Sequence, residues 1–178
     1  MTNQTYEQEH AHIINNVLEL ELATDKAKLL NFDSGTGTEY TAYVKLNVSE
    51  EIYIVFNLPT NSNKLFMTVT DGDPESIAYL ISELENADKS KGFKVRDTVR
   101  FNNDYLIKND KVGVLLLPAA VSNILSDLGN FNSLSDEAYE LLLCVFISAE
   151  DYSFQKNFGN DGLMDKFARE NRDLIAIS

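Results

Sequence analysis

The sequence predicts an α+β domain, a mixed but largely antiparallel sheet with helices packed on it. Three observations carry this. A strictly alternating run from Tyr40 and two further β-rich runs follow one another through short polar breaks up to Thr70, a strong helix start stands at Asp73, and two continuous apolar runs begin at Val112 and Tyr139. A chain of 178 residues can bury one substantial core and is short for two, so residues 1–178 are expected to form a single domain.

Between Tyr6 and Leu22, Ile13, Ile14, Val17 and Leu18 fall at helical spacing, which predicts an amphipathic helix. The small, turn-forming residues from Asp33 to Thr38 break that period. From Tyr40 to Val48 the chain alternates, with Tyr40, Ala42, Val44, Leu46 and Val48 on one side and Thr41, Tyr43, Lys45 and Asn47 on the other, a half-buried strand. Ile52–Leu58 and Leu65–Thr70 are two further β-rich runs, and the short breaks between them predict an antiparallel meander.

Asp73 can cap free N–H groups and Pro74 is tolerated at a first helical position, so a helix should start there. Ile77, Leu80, Ile81 and Leu84 give it one apolar stripe, and it should end before Gly92. Phe93, Val95, Val99 and Phe101 alternate with charged residues and read as a strand, with turns on either side of Tyr105–Lys108. Val112–Leu117 reads as a central strand stopped by Pro118, followed by a short helix carrying Val121, Ile124, Leu125 and Leu128 up to Gly129. Tyr139–Ile147 reads as a buried strand. Ser148 and Asp151 have the spacing of a capping box, opening a helix to Gly159, with another carrying Leu163, Met164 and Phe167.

Fifteen Lys and Arg against 28 Asp and Glu leave a net charge of -13, which repels phosphate backbones and anionic lipids. Nucleic acid and membrane are therefore not expected as partners, whereas a basic protein is. No basic residue precedes Lys26, no apolar run approaches the roughly 20 residues of a membrane helix, and the one cysteine, Cys144, has no partner for a disulfide. The expected compartment is the cytoplasm.

Candidate chemistry is sparse. His10 and His12 are two apart, so on a helix they diverge by about 200° and cannot chelate together, although Glu9 and His12 could share a face. Cys144 lies among apolar residues that disfavour a thiolate, and reads as core. Gly35 and Gly37 lack the Lys and Ser/Thr of a phosphate loop and read as a surface loop. Asp71, Asp73 and Glu75 put three carboxylates in five residues, without the spacing of a calcium loop. No nucleophile elbow occurs, and no catalytic, cofactor-binding or metal residue is assigned.

From the second helix onward the chain resembles the suppressor-of-fused family. There a strand leads into a helix of the type Thr-x-x-Glu-Leu-x-Phe-x-x-x-x-Gly and then a short helix ending Leu-Leu-x-x-Leu. The corresponding residues are Ser148, Asp151, Tyr152, Phe154, Gly159, Leu163, Met164 and Phe167. Val114–Pro118 is similar to a hydrophobic strand ending in proline, Gly92, Phe93 and Asp97 to a glycine–phenylalanine–aspartate segment, and Phe66–Gly72 to a Thr-Gly turn, with Asp71 intervening. Residues 1–50 carry no part of the resemblance.

The resemblance implies an α+β domain with a non-enzymatic, protein-binding role and no cofactor. The family's founding protein clasps an extended peptide between two lobes, and bacterial single-lobe relatives resemble immunity proteins; this chain has the length of one lobe. The expectation is thus an immunity-type protein that neutralises a basic partner. The alternatives are a small metal-dependent hydrolase using Asp71, Asp73 and Glu75, and a structural or self-associating protein.

Overall fold

The computed structural model describes residues 13, 27–35, 37–46, 50–59, 62–118 and 139–174. Among the described residues ten elements follow one another: β1 (Lys28–Asp33), β2 (Thr38–Lys45), β3 (Tyr53–Leu58), β4 (Lys64–Thr70), α1 (Pro74–Lys91), β5 (Thr98–Arg100), α2 (Asp104–Lys108), β6 (Gly113–Pro118), β7 (Glu140–Ile147) and α3 (Ala149–Arg169). The strands form one seven-stranded sheet in the order β1-β2-β3-β4-β7-β6-β5. The predicted meander is its first half, β1 to β4, paired antiparallel. β4 runs parallel to β7, and β7, β6 and β5 are again antiparallel, so the sheet is mixed with a single parallel pair.

Both faces are covered. Ala42, Val44, Ile54, Phe56, Leu65, Met67, Leu115 and Val145 face one cluster, completed by Ile13 and by Leu163 and Phe167 of α3. Tyr43, Val55, Phe66, Val114, Leu116, Leu142 and Cys144 face the other, beneath Ile77, Leu80, Ile81 and Leu84 of α1 and Leu106 of α2. This corrects the half-buried reading of β2. Thr41 and Tyr43, on the side expected to meet water, are buried because the apolar stripe of α1 lies over them, while Tyr40, expected inside, is 38% exposed.

The local signals place the helices. Asp73 accepts from the Ser76 N–H at 2.9 Å and caps α1, whose far end closes at Gly92 in the left-handed conformation, φ 65°. Ser148 and Asp151 form the reciprocal capping box that opens α3. Gly159 breaks α3 where the sequence separates two helices, at φ 75° and ψ 179°, a conformation essentially confined to glycine.

Three expectations change. The run Phe93–Phe101 is not one strand: the Asp97 carboxylate accepts from the Lys94 N–H at 2.8 Å, a turn forms with Arg96 at φ 77°, and only Thr98–Arg100 joins the ladder. Tyr105–Lys108 is helical, because the Asn103 side chain accepts from the N–H groups of Tyr105 and Leu106. β1, unmarked by alternation, is a full strand at the sheet edge. Of the predicted Tyr6–Leu22 helix only Ile13 is described, helical and buried; the rest, with His10 and His12, and the predicted helix Val121–Leu128 lie outside the described residues. Among the described residues no helix is long and apolar enough to cross a membrane.

Candidate functional site: an acidic cleft beside α1

A cleft of about 600 Å³ opens between β1, the first half of α1 and the start of α2. Two hydrogen bonds set its far wall: the Asp73 N–H donates to the Tyr105 hydroxyl at 2.8 Å, and Asn103 Nδ2 donates to Glu83 Oε2 at 3.0 Å. The near wall is the edge-to-face pair of Phe32 and Tyr79, ring centroids 5.3 Å apart. Four carboxylates, Asp73, Glu75, Glu83 and Asp104, line the space, and among the described residues no Lys, Arg or His does. Burial, followed by the carboxylate of Glu75, raises the pKa of the adjacent Tyr43 hydroxyl, which therefore stays protonated and adds no charge at neutral pH.

A smaller recess of about 280 Å³ adjoins the cleft, sharing Phe32, Tyr79 and Glu83 and adding Asp33, Glu39 and Asn86. Glu39 is 1% exposed. Its Oε1 accepts from Lys89 Nζ at 2.7 Å and Ser34 Oγ at 3.0 Å, whereas its Oε2 is buried and makes no hydrogen bond among the described residues. Deeper under α1, Asn57 donates to Glu85 Oε2 at 2.9 Å and accepts from the Phe66 N–H at 2.7 Å. Burial raises Glu85 to about 7, with Glu39 and Asp88 adding to the rise against the opposing Asn57 and Lys89. That value suits proton exchange at neutral pH, but Glu85 lines neither recess.

On the other side of the sheet Asp151 is the third buried carboxylate, and it is fully engaged. Lys166 Nζ lies at 2.9 Å, Arg172 Nη1 at 2.9 Å, and the Ser148 N–H at 3.3 Å. Burial pushes its pKa up, but Arg172, Lys166 and the Ser148 N–H together outweigh that and hold it at about 2.

The chain is similar over 99% of its length, and 96% of the other's, to a crystal structure described as a suppressor of fused homologue from Neisseria gonorrhoeae, with a TM-score of 0.71 and 14% identity. The chain has a suppressor-of-fused-like fold. Neither a protein-family model nor a curated protein matches it. At this identity the likeness is one of fold, and fold leaves function open.

Within the suppressor-of-fused-like fold, the residues that carried the resemblance are structural. Ser148 and Asp151 cap α3, Gly159 breaks it, and Leu163 and Phe167 fill the core. Cys144 is buried and its thiol is pushed up by burial, as its apolar neighbours imply. Gly35 and Gly37 lie in the turn between β1 and β2, where Gly35 takes φ 78° and the Ser34 N–H donates to the Gly37 carbonyl. Of the three clustered carboxylates, Asp73 and Glu75 line the cleft and Asp71 does not. Asp73 Oδ2 is engaged by Ser76, and among the described residues no three His, Cys, Asp or Glu side chains converge to hold a metal ion.

Sequence reasoning missed Phe32, Glu39, Tyr79 and Glu83. One signal for the buried polar layer was legible. Glu85 follows Ile77, Ile81 and Leu84 on the apolar stripe of α1, where a carboxyl group needs a partner beneath it, and Asn57 interrupts the apolar run of β3 to supply one.

Proposed function

We propose that the protein is a non-enzymatic binding module, an immunity-type protein that neutralises a basic partner by seating one of the partner's segments in the cleft beside α1. The observation that carries this reading is the lining of the cleft, with four carboxylates, aromatic walls and, among the described residues, no cation. The net charge of -13 extends the same field over the whole chain, which speeds encounter with a basic surface and disfavours phosphate backbones and anionic lipid. Aromatic rings beside carboxylates suit Lys and Arg side chains, whose stems are apolar and whose heads are charged. β1, at the sheet edge, offers an adjoining strand along which an extended segment can add.

The test is fluorescence polarisation with a labelled peptide of alternating lysine and alanine. Binding is expected at low ionic strength and should weaken steeply as the Debye length shrinks from roughly 10 Å at 0.1 M to roughly 3 Å at 1 M salt. The quadruple variant Asp73→Asn, Glu75→Gln, Glu83→Gln, Asp104→Asn should lose it while keeping its thermal transition. Affinity indifferent to salt and to these substitutions would overturn the reading.

A further inference from the structure

We infer that the recess at Glu39 is a socket for one guanidinium group, the anchor through which an arginine of the partner is fixed. The inference rests on the cleft being the binding face and goes beyond it, since it names a single side chain and the residues that take it.

Acidic character alone does not make the recess a site. The deciding feature is Glu39, a carboxylate 1% exposed that lines the recess with one oxygen satisfied and the other, Oε2, buried and without a donor among the described residues. A buried acceptor left unpaired is destabilising, more so when it is charged. A donor entering the recess removes that cost. Lys89 and Ser34 already occupy Oε1, so the incoming donor has one defined place to go.

Two further features select guanidinium over ammonium, and a third favours a cation of either kind. Asp33 and Glu83 line the same recess, so a planar fork of N–H donors can meet more than one carboxylate at once, which a single ammonium does less well. The rings of Phe32 and Tyr79 form one wall, and Tyr79 is 48% exposed, leaving a ring surface on which a flat cation can stack. Charge is also in surplus: Asp33, Glu39 and Glu83 line the recess, no cation among the described residues does, and Lys89 pairs with Glu39 alone among them.

The experiment compares two labelled lysine–alanine peptides that differ at one central position, arginine in one and lysine in the other. The wild-type protein should prefer the arginine peptide by about tenfold, the worth of a charge-assisted hydrogen bond. In Glu39→Gln and in Asp33→Asn the ratio should fall towards one. The ratio is the readout because a uniform loss of charge does not move it. Asp33 is surface-exposed and lines only the recess, so its variant keeps the test decisive if Glu39→Gln fails to fold. Equal affinity of the wild type for both peptides would overturn the socket and leave the cleft standing. Binding of neither peptide at low salt would overturn both.

Discussion

Asp151 and Glu39 are both carboxylates with almost no exposure, on opposite sides of one sheet, and they are treated oppositely. Asp151 has two cations and a backbone N–H around its two oxygens, and its pKa sits at about 2. Glu39 has one cation and a hydroxyl on one oxygen and, among the described residues, nothing on the other, with Glu85 close enough to feel its charge. A saturated buried carboxylate holds structure together, here the start of α3 to its last turn and to Arg172. An unsaturated one beside an open recess leaves an acceptor that a donor entering the recess can satisfy.

Breaking the saturated side should produce the largest effect. Asp151→Ala leaves Lys166 and Arg172 facing a hole and should cost roughly 3 kcal/mol in urea unfolding, towards the low end for a broken buried pair because Arg172 is partly exposed. Peptide binding by the protein that remains folded should be unchanged. The same group sets an acid limit. Its folded pKa lies below the ordinary 3.8, so its contribution of roughly 2 kcal/mol is present above that value and disappears as pH falls through 2.

The α1 side should show the opposite sign. Glu85 has a folded pKa raised from 4.5 to about 7, so its stabilising effect is complete below 4.5 and is lost as pH rises through 7. Stability should therefore decline by about 1 kcal/mol between pH 6 and 8.5. Glu85→Gln should flatten that decline, as followed by urea midpoints across the range; an unchanged slope would separate Glu85 from it. Gly159→Ala, at a φ and ψ that side chains avoid, should cost about 1–2 kcal/mol. Asp73→Ala, which removes a helix cap, should cost about 1 kcal/mol.

The two regions also differ in how far the sequence revealed them. The capping box of α3, its break at Gly159 and the apolar residues Leu163 and Phe167 are local patterns, and each lies where its spacing places it. Asp73, Pro74 and Gly92 bound α1 for the same reason. The recess is not local. Glu39 stands on the polar side of an alternating strand, and that side is buried only because a helix distant in sequence folds over it. β1 escaped notice because Leu29 and Leu30 are adjacent apolar residues on opposite faces, one exposed and one turned to α1, so no period of two stands out. The strand reading of Phe93–Phe101 failed at Asp97, whose side chain takes a backbone donor and turns the chain.

The central claim is that the under-neutralised side beside α1 is the binding face and the saturated side is structural. Amide chemical-shift mapping of the full chain, titrated with the arginine-containing peptide at low salt, tests this most directly. The largest shifts are expected at Ser34, Glu39, Tyr79, Glu83 and Asn103, with Phe158 and the rest of α3 unmoved. Shifts centred on α3 around Asp151 and Phe158, with α1 silent, would contradict the account.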